Sequence, residues 1–272
     1  MFEQIKALRE KTGAGMIDVK KALEEAGGDM EKATDILRKK GAAKAAKRAG
    51  REASEGIIIA SVNDEGNEGY MVEVNSETDF VSRNEQFQDF AKKIFAIVKN
   101  EKPNNREELL KLTFADTTVQ AKLEELTGSI GEKLDIKNVA VLKSDHGVVA
   151  SYIHASGRIG VLIAMSGVEK DSEIAHDLAM QVAASNPKCL TPAEVAPEEI
   201  EREKDVYREQ LKNEGKPEAM IEKIIAGKLG KFYEEVCLVK QIYIKDDKKT
   251  VEQVLQAAGE NVSIEKFVRF SL

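Results

Sequence analysis

Asp79 and Phe80 place a carboxylate and a large aromatic ring side by side within the segment Asn75–Val81. The segment connects a predicted strand to a predicted helix, and connections of this kind often carry function because a scaffold positions them. A large aromatic ring beside a carboxylate offers binding chemistry rather than bond cleavage. From the residues alone a structural role is equally open, in which Phe80 covers the sheet edge and Asp79 caps backbone amides.

The segment Thr12–Leu23 is a second candidate for binding. Gly13 and Gly15 stand just before Met16, at the start of a predicted helix. Glycines let a chain turn at positive φ or approach a partner closely, and an exposed Met at this place is typical of a binding loop. The alternative is that Met16 only covers the base of its own helices.

No catalytic motif is present. The sequence has no GxxxxGK[ST] loop, no HExxH, no nucleophile elbow and no GxGxxG after a strand. The histidines His146, His154 and His176 are scattered, and Cys189 and Cys237 are far apart without a CxxC pair, so neither a metal site nor a disulfide framework is expected. We therefore expect a protein without enzyme activity, metal or cofactor.

Composition predicts a folded protein of a reducing cytoplasm. The chain is 272 residues long, which is enough for two or three domains. Hydrophobic residues make up 42% of it and charged residues 33%. The N-terminus lacks an apolar signal region and no apolar run is long enough to span a membrane, so we expect neither secretion nor membrane association. The net charge of −7 argues against a DNA partner.

A basic run between residues 38 and 51 departs from this acidic background. It contains no acidic residue and consists of Arg38, Lys39, Lys40, Lys44, Lys47, Arg48 and Arg51. The alanines between these charges are strong helix formers, which favours a solvated helical linker over an RNA contact. We therefore expect no direct RNA binding, although the run keeps that alternative open.

Residues 1–54 are predicted to form three short helices followed by the basic linker. Phe2, Ile5 and Leu8 have the spacing of one apolar helix face. Asp29 is placed to cap the third helix and Gly41 to end it.

The remaining chain is predicted to be an α+β core made of two related halves, residues 55–143 and 144–272. The first half reads as a hairpin from Gly56, a helix after the capping pattern Ser82–Glu85, a helix over 116–127 and a third strand over 139–142.

The second half repeats this order with a hairpin over 147–165 and a following helix. Its segment Gly259–Ile264 is similar to Gly131–Ile136 of the first half. Each half should therefore contain a three-stranded antiparallel sheet with helices on one face, and we expect the halves to pack side by side.

An insertion over about residues 187–232 interrupts the second half. Two charged helical stretches flank Glu214–Pro217, where a glycine ends one helix and a proline begins the next. Their apolar residues are too sparse for buried helices, so we predict a protruding two-helix coiled-coil arm.

Taken in order, the motifs TGAGMIDVKKAL and NSETDFV and the hairpin Tyr152–Val161 resemble the elongation factor Ts family of bacterial and organellar type, along essentially the whole chain. The resemblance implies a guanine nucleotide exchange factor for elongation factor Tu in translation elongation, with no covalent chemistry and no small-molecule substrate. It also implies a ubiquitin-associated-like N-terminal module, a two-part core and a coiled-coil arm.

The resemblance also implies where this chain contacts its partner. Asp79 and Phe80, with Thr78 and Val81 beside them, would enter the partner next to its bound magnesium and phosphates. His154 and Arg158 of the second-half hairpin would face the partner's third domain. The N-terminal module would dock through Arg9, Gly13, Gly15, Met16 and Lys20, with Lys6 as a further charge contact.

Two other functions compete with exchange. An RNA- or ribosome-associated module would use the basic run, and its binding would weaken steeply with salt because phosphate contacts release counterions. A plain ubiquitin-associated-type adaptor would rest on the first forty residues only and would leave the duplicated core unexplained.

Overall fold

The computed structural model describes residues 1–272. Its first three helices are α1 (Phe2–Thr12), α2 (Met16–Glu25) and α3 (Met30–Arg48). Their small shared core consists of Leu8, Val19, Ala22, Leu23, Ala33 and Leu37. The Asp29 carboxylate accepts bonds from the backbone amides of Glu31 and Lys32 at 2.9 and 3.1 Å, which confirms the predicted cap of α3.

Two expectations for this region are wrong. Phe2 does not join the apolar face, since its side chain is 73% exposed. Gly41 does not end α3, which continues through the basic run to Arg48. Within the run, Lys40 pairs with Glu25 and Lys44 with Asp18, at 2.7 and 2.9 Å, so part of its charge is neutralised locally.

The first half of the core contains the next nine elements. They are β1 (Glu55–Val62), β2 (Glu68–Ser76), α4 (Asp79–Ser82), α5 (Glu85–Glu101), α6 (Arg106–Lys111), β3 (Thr113–Phe114), β4 (Thr117–Thr118), α7 (Val119–Ile130) and β5 (Leu134–Lys143). The antiparallel sheet has the order β1-β2-β5. Its outer face packs with α5 and α7 around Phe87, Ile94 and Leu123, among others.

Several boundaries differ from those predicted. The cap of α5 is Asn84, whose side chain accepts from the Gln86 amide at 2.8 Å, because Ser82 already ends the separate short helix α4. Helix α7 starts at Val119 rather than at residue 116, and β5 runs from 134 to 143. The Gly128 position of α7 lies against Gly41, where a Cβ would come within 2.5 Å of the Gly41 Cα. This glycine contact brings α3 close to α7, and packing therefore overrides the tendency of Gly41 to end a helix.

The second half repeats the sheet and adds a helical pair. Its elements are β6 (Gly147–His154), β7 (Ile159–Ser166), α8 (Glu173–Ser185), α9 (Pro197–Asn213), α10 (Glu218–Val236), β8 (Ile242–Tyr243), β9 (Asp246–Thr250), α11 (Val251–Ala258) and β10 (Ser263–Ser271). The sheet order is β10-β7-β6, so in each half the second hairpin strand is the middle strand. Helices α8 and α11 cover the outer face, with Leu178, Val182 and Leu255 in its core.

The two sheets pack face to face, which corrects the expected side-by-side arrangement. Between them lies a cluster composed of Ile58, Met71, Leu142, Val149, Leu162 and Ala164. Two glycines let the sheets approach: a Cβ at Gly69 would lie 2.7 Å from Val149 Cγ1, and one at Gly160 would lie 2.4 Å from Ile58 Cγ2. The strands therefore have apolar residues on both faces, and helices cover only the outer ones.

Helices α9 and α10 form the antiparallel pair, joined by Glu214–Pro217 with Gly215 at φ 70°. Contact between them rests on Leu211, Ile221 and Ile225, while Phe232, Val236 and Val195 hold the root of the pair. None of the helices is long and apolar enough to cross a membrane.

Candidate partner-binding site

Phe80 projects from α4 into solvent. Its side chain is 83% exposed, more than any other large apolar side chain in the chain. The alternative in which Phe80 covers the sheet edge is therefore wrong. An exposed aromatic ring on an ordered element is a ready contact for a partner, because burying it removes its apolar surface from water.

Asp79 lies in the first turn of α4, but it does not cap the helix. The cap is Thr78, whose Oγ1 accepts from the Val81 amide. Asp79 instead pairs with Arg83 one turn later, with 3.0 Å between the carboxylate and guanidinium atoms. The pair is solvent-exposed and hence weak, so a partner can compete for either charge.

A pair of glutamates holds the chain just before α4. The Glu132 carboxylate accepts from the Thr78 amide at 3.1 Å and from Thr78 Oγ1 at 2.9 Å. In the opposite direction, the Glu77 carboxylate accepts from the Lys133 amide at 2.6 Å. We call Glu77 and Glu132 the carboxylate clamp. Together they join the connection after β2 to the connection before β5.

The electrostatic surroundings of Glu77 favour its ionised form. The backbone hydrogen bond from Lys133 has the largest influence and lowers the pKa of Glu77 below its usual range. Burial partly opposes this shift, and the hydrogen bond and charge of Arg51 add to the lowering. Arg51, at the end of the basic run, lies 3.1 Å from the Glu77 carboxylate. The run is thus connected to the candidate site through a side chain that the sequence assigned to a linker.

The backbone of α4 is also fixed by hydrogen bonds from two serine side chains. Ser76 Oγ donates to the Thr78 carbonyl and Ser82 Oγ to the Asp79 carbonyl, both at 2.9 Å. Val81 is half-buried against the first-half core. Phe80 therefore points outward from a helix whose other residues are held, which limits the entropy lost when a partner buries the ring.

Arg158 of the second half reaches this edge of the first half. Its guanidinium pairs with the Glu55 carboxylate, and this hydrogen bond lowers the pKa of Glu55. Glu55, and more weakly the charge of Asp79, raises the pKa of Arg158. The structure therefore brings Arg158 into the electrostatic surroundings of Asp79, a proximity with no signal in the sequence.

His154 ends β6 on the same hairpin and is exposed. Its Nδ1 lies 2.9 Å from the Tyr152 hydroxyl, and the two rings stack with centroids 5.9 Å apart. The hairpin turn follows at Ala155, Ser156 and Gly157, all with positive φ. This tight turn places His154 and Arg158 at the two ends of one loop.

In the N-terminal module, Gly13 ends α1 with φ 68° and donates its amide to the Arg9 carbonyl at 2.8 Å. Gly15 precedes α2, with open space where a Cβ would stand. Met16 is 54% exposed, and Lys20 makes only a long 3.8 Å ion pair with Glu24. The interpretation in which Met16 merely covers its own base is therefore not supported.

Met16 belongs to an apolar patch that the sequence only partly revealed. Exposed Phe2 and Ile17 lie in the same module. A groove beside Met16 is lined by Phe2, Ile5, Lys6, Arg9, Glu10, Gly13, Met16 and Gln86. Gln86 belongs to α5, and its Nε2 lies 3.3 Å from where a Gly13 Cβ would stand. The module thus contacts the helix that follows α4. No group of three or more His, Cys, Asp or Glu side chains is arranged to hold a metal ion.

Comparisons with known proteins give a consistent result. A family model described as Elongation factor TS matches residues 77–272. Elongation factor Ts of Trichlorobacter lovleyi is 45% identical over 99% of this chain and 91% of the relative. The proteins of the same name from Prosthecochloris aestuarii and Clostridium perfringens are 43% and 46% identical, over 99% and 98% of this chain and 97% and 90% of the relatives.

Proposed function

The chain belongs to the elongation factor Ts family, a family of translation elongation, and from that premise we propose that it is a guanine nucleotide exchange factor for elongation factor Tu. The single observation that carries the proposal is the exposure of Phe80 on a helix whose backbone is otherwise fixed. Phe80 and Asp79 enter the partner near its magnesium and phosphates, and GDP leaves so that GTP can bind.

The mechanism needs no covalent step, because exchange is a coupling between two binding events. If the factor binds more tightly to the partner without GDP, GDP must bind more weakly to the partner that holds the factor, by the same free energy. Burying a Phe side chain contributes about 1.5 to 3 kcal/mol. When the ring is buried only in the partner from which GDP has been displaced, this contribution corresponds to a roughly ten- to hundred-fold weakening of GDP binding.

Asp79 adds a charge to the same surface. Its carboxylate is held by Arg83 in the free chain, and the pair is exposed. In the complex, partner groups uncovered by the Phe80 ring take the place of Arg83 or of the water around it. Thr78 and Val81 position the two residues, through the Thr78 cap and the half-buried Val81 side chain.

The remaining surfaces extend the contact. The first half, residues 55–143, faces the nucleotide-binding domain of the partner, and the second half, residues 144–272, faces its third domain through His154 and Arg158. The N-terminal module, residues 1–54, is ubiquitin-associated-like and docks through Arg9, Gly13, Gly15, Met16 and Lys20. Its exposed apolar residues support this assignment. The helical pair α9 and α10 is the coiled-coil arm.

This function requires no cofactor, metal, DNA or membrane, and it operates in the cytoplasm. Direct RNA binding is not part of it. The ion pairs of Lys40, Lys44 and Arg51 with acidic side chains of the same chain support this view, because they reduce the charge that the basic run offers to phosphates.

The test is the release rate of a fluorescent GDP analogue from elongation factor Tu at rising concentrations of the chain. We expect a concentration-dependent acceleration that saturates. Asp79→Ala combined with Phe80→Ala should remove most of it, whereas Ile244→Ala, which shortens an exposed side chain on the second half, should not. No acceleration by the folded wild-type chain would refute exchange on this partner. A double variant that accelerates release as well as wild type would refute the roles of Asp79 and Phe80 but not the exchange function.

A further inference from the structure

The two cysteines of the chain meet at the root of the helical pair α9 and α10. Cys189 lies in the segment that enters the pair, and Cys237 directly follows α10 at its exit. Both are free thiols, and their sulfur atoms are 3.5 Å apart. Since 48 positions separate them in sequence, only the fold brings them together.

The backbone already holds the two cysteines in register. They form a parallel β-bridge, flanked by hydrogen bonds from the Lys188 amide to the Val236 carbonyl at 2.8 Å and from the Leu238 amide to the Cys189 carbonyl at 3.0 Å. Adjacent strands lie about 4.8 Å apart, which is within the Cα separation that disulfides span. Side-chain rotation alone can therefore bring the sulfurs into bonding distance.

We propose that Cys189 and Cys237 are an oxidation site, where a small-molecule disulfide such as glutathione disulfide converts the thiol pair into an intramolecular disulfide across the root of the helical pair. The Cys189 thiolate attacks the small disulfide, which forms a mixed disulfide and releases one glutathione thiolate. The Cys237 thiolate then attacks the Cys189 sulfur and releases the second. The two protons lost by the cysteines are taken up by the two glutathione thiolates, so one disulfide is consumed and one is formed.

The order of the two steps follows from burial. Cys189 is half-buried and can meet the oxidant, whereas Cys237 is fully buried and can react only with a sulfur already beside it. Burial also raises the pKa of both thiols, that of Cys237 to about 12, so few thiolates are present near neutral pH. The pair therefore reacts slowly with small disulfides near neutral pH.

The bond would close a loop that contains the whole helical pair. Closing this loop restricts the unfolded chain, while the native backbone bonds of the root stay as they are. Oxidation should thus raise the thermal unfolding midpoint, and reduction should reverse the shift. The site is independent of exchange activity, because it rests only on the position of the two sulfurs.

The test incubates the folded full-length chain with glutathione disulfide and follows intact mass and free thiols. We expect a product lighter by two hydrogen atoms, no remaining thiol and a linked peptide pair containing both cysteines. Cys237→Ser should instead accumulate a glutathione adduct on Cys189. Cys189→Ser should stay largely unmodified until it is unfolded.

Any one of three results with the wild-type chain would overturn the proposal. These are the survival of two titratable thiols, a stable glutathione adduct that does not go on to the intramolecular disulfide, and disulfides between chains. Because the decisive measurement uses the wild-type chain, it does not depend on whether the serine variants fold. Dithiothreitol should restore both thiols and the original unfolding midpoint.

Discussion

The two halves of the core share one sheet order but differ where the chain leaves the middle strand. After β2, residues 77–84 carry the extra helix α4, and Glu77 reaches across to the Lys133 amide. After β7, residues 167–172 lead to α8 without an extra helix. There Gly167 takes φ 72°, and a Cβ on it would lie 2.2 Å from the Asn261 carbonyl oxygen.

This difference shows how one scaffold can support both a helix that exposes an aromatic ring and a plain turn. In the second half, backbone packs directly on backbone, so the connection is short and closed. In the first half, the carboxylate clamp takes the place of that close approach and supports a helix that presents Phe80. Connections vary more readily than the sheet that carries them, because few core contacts depend on them.

The largest expected effect is a loss of folding stability in the second-half connection, residues 167–172. Gly167→Ala introduces both an unfavourable φ and a clash with backbone, so we expect a loss of about 3 kcal/mol in the free energy of unfolding. Gly131→Ala is the matched control, because Gly131 has φ 89° but nothing within 4 Å of the added Cβ. The control should lose only about 1 to 2 kcal/mol. Equal losses in urea unfolding would show that close approach does not set the second connection apart.

Phe80→Ala should have a large effect on exchange and almost none on folding. The side chain is 83% exposed, so its removal leaves the unfolding free energy nearly unchanged. We expect a roughly ten- to hundred-fold smaller acceleration of GDP release, since burial of the ring is lost. Ile244→Ala in the second half should retain full activity. A similar loss in both variants would mean that general apolar surface, rather than α4, drives binding.

Glu132→Ala should produce an intermediate effect on exchange. The variant leaves the Thr78 amide and hydroxyl without their acceptor, so α4 samples more orientations before binding. A hydrogen bond of this kind contributes about 1 kcal/mol, which corresponds to a roughly five-fold slower exchange. Glu132→Gln retains an acceptor oxygen and should restore most of the rate. Equal rates in the alanine and glutamine variants would argue against a positioning role.

Much of the fold could be predicted from the sequence because its signals are local. Strand alternation and the similarity of Gly131–Ile136 to Gly259–Ile264 indicated two α+β halves. The Asp29 cap followed from residue type. Face-to-face packing of the sheets had no such signal, because it depends on the absence of side chains at Gly69 and Gly160, which are distant in sequence from the residues they meet.

The candidate site shows the same division. Asp79 and Phe80 were recognisable as a pair, but the clamp was not, because its hydrogen bonds span 54 and 56 positions. The extension of α3 past Gly41 was missed for a similar reason, since it is packing against α7 that sustains the helix there. The exposure of Phe2 was missed because its spacing fits an apolar helix face. Only the structure shows that no other part of the chain covers its side chain.

The smallest expected effect is on the pH dependence of the free energy of unfolding, which should distinguish the first connection from the second. The pKa of Glu77 is lowered in the folded chain, so its ionised form stabilises the fold at pH values above the usual Glu pKa of about 4.3. That contribution is lost as the pH falls from there through the lowered folded value. Gly167, at the corresponding place in the second half, has no titrating side chain. Glu77→Gln should therefore be less stable than wild type near pH 7, with the difference shrinking on acidification.

Arg51→Met is the matched control for this measurement. It removes the ion pair with Glu77 but keeps the hydrogen bond from the Lys133 amide, which is the main cause of the lowered pKa. Urea unfolding between pH 7 and pH 3 should thus show most of the wild-type pH dependence in Arg51→Met and a flatter profile in Glu77→Gln. If Arg51→Met flattened the profile as much as Glu77→Gln, the charge of the basic run would be responsible. The first connection would then differ from the second by its contact with the N-terminal module rather than by the clamp.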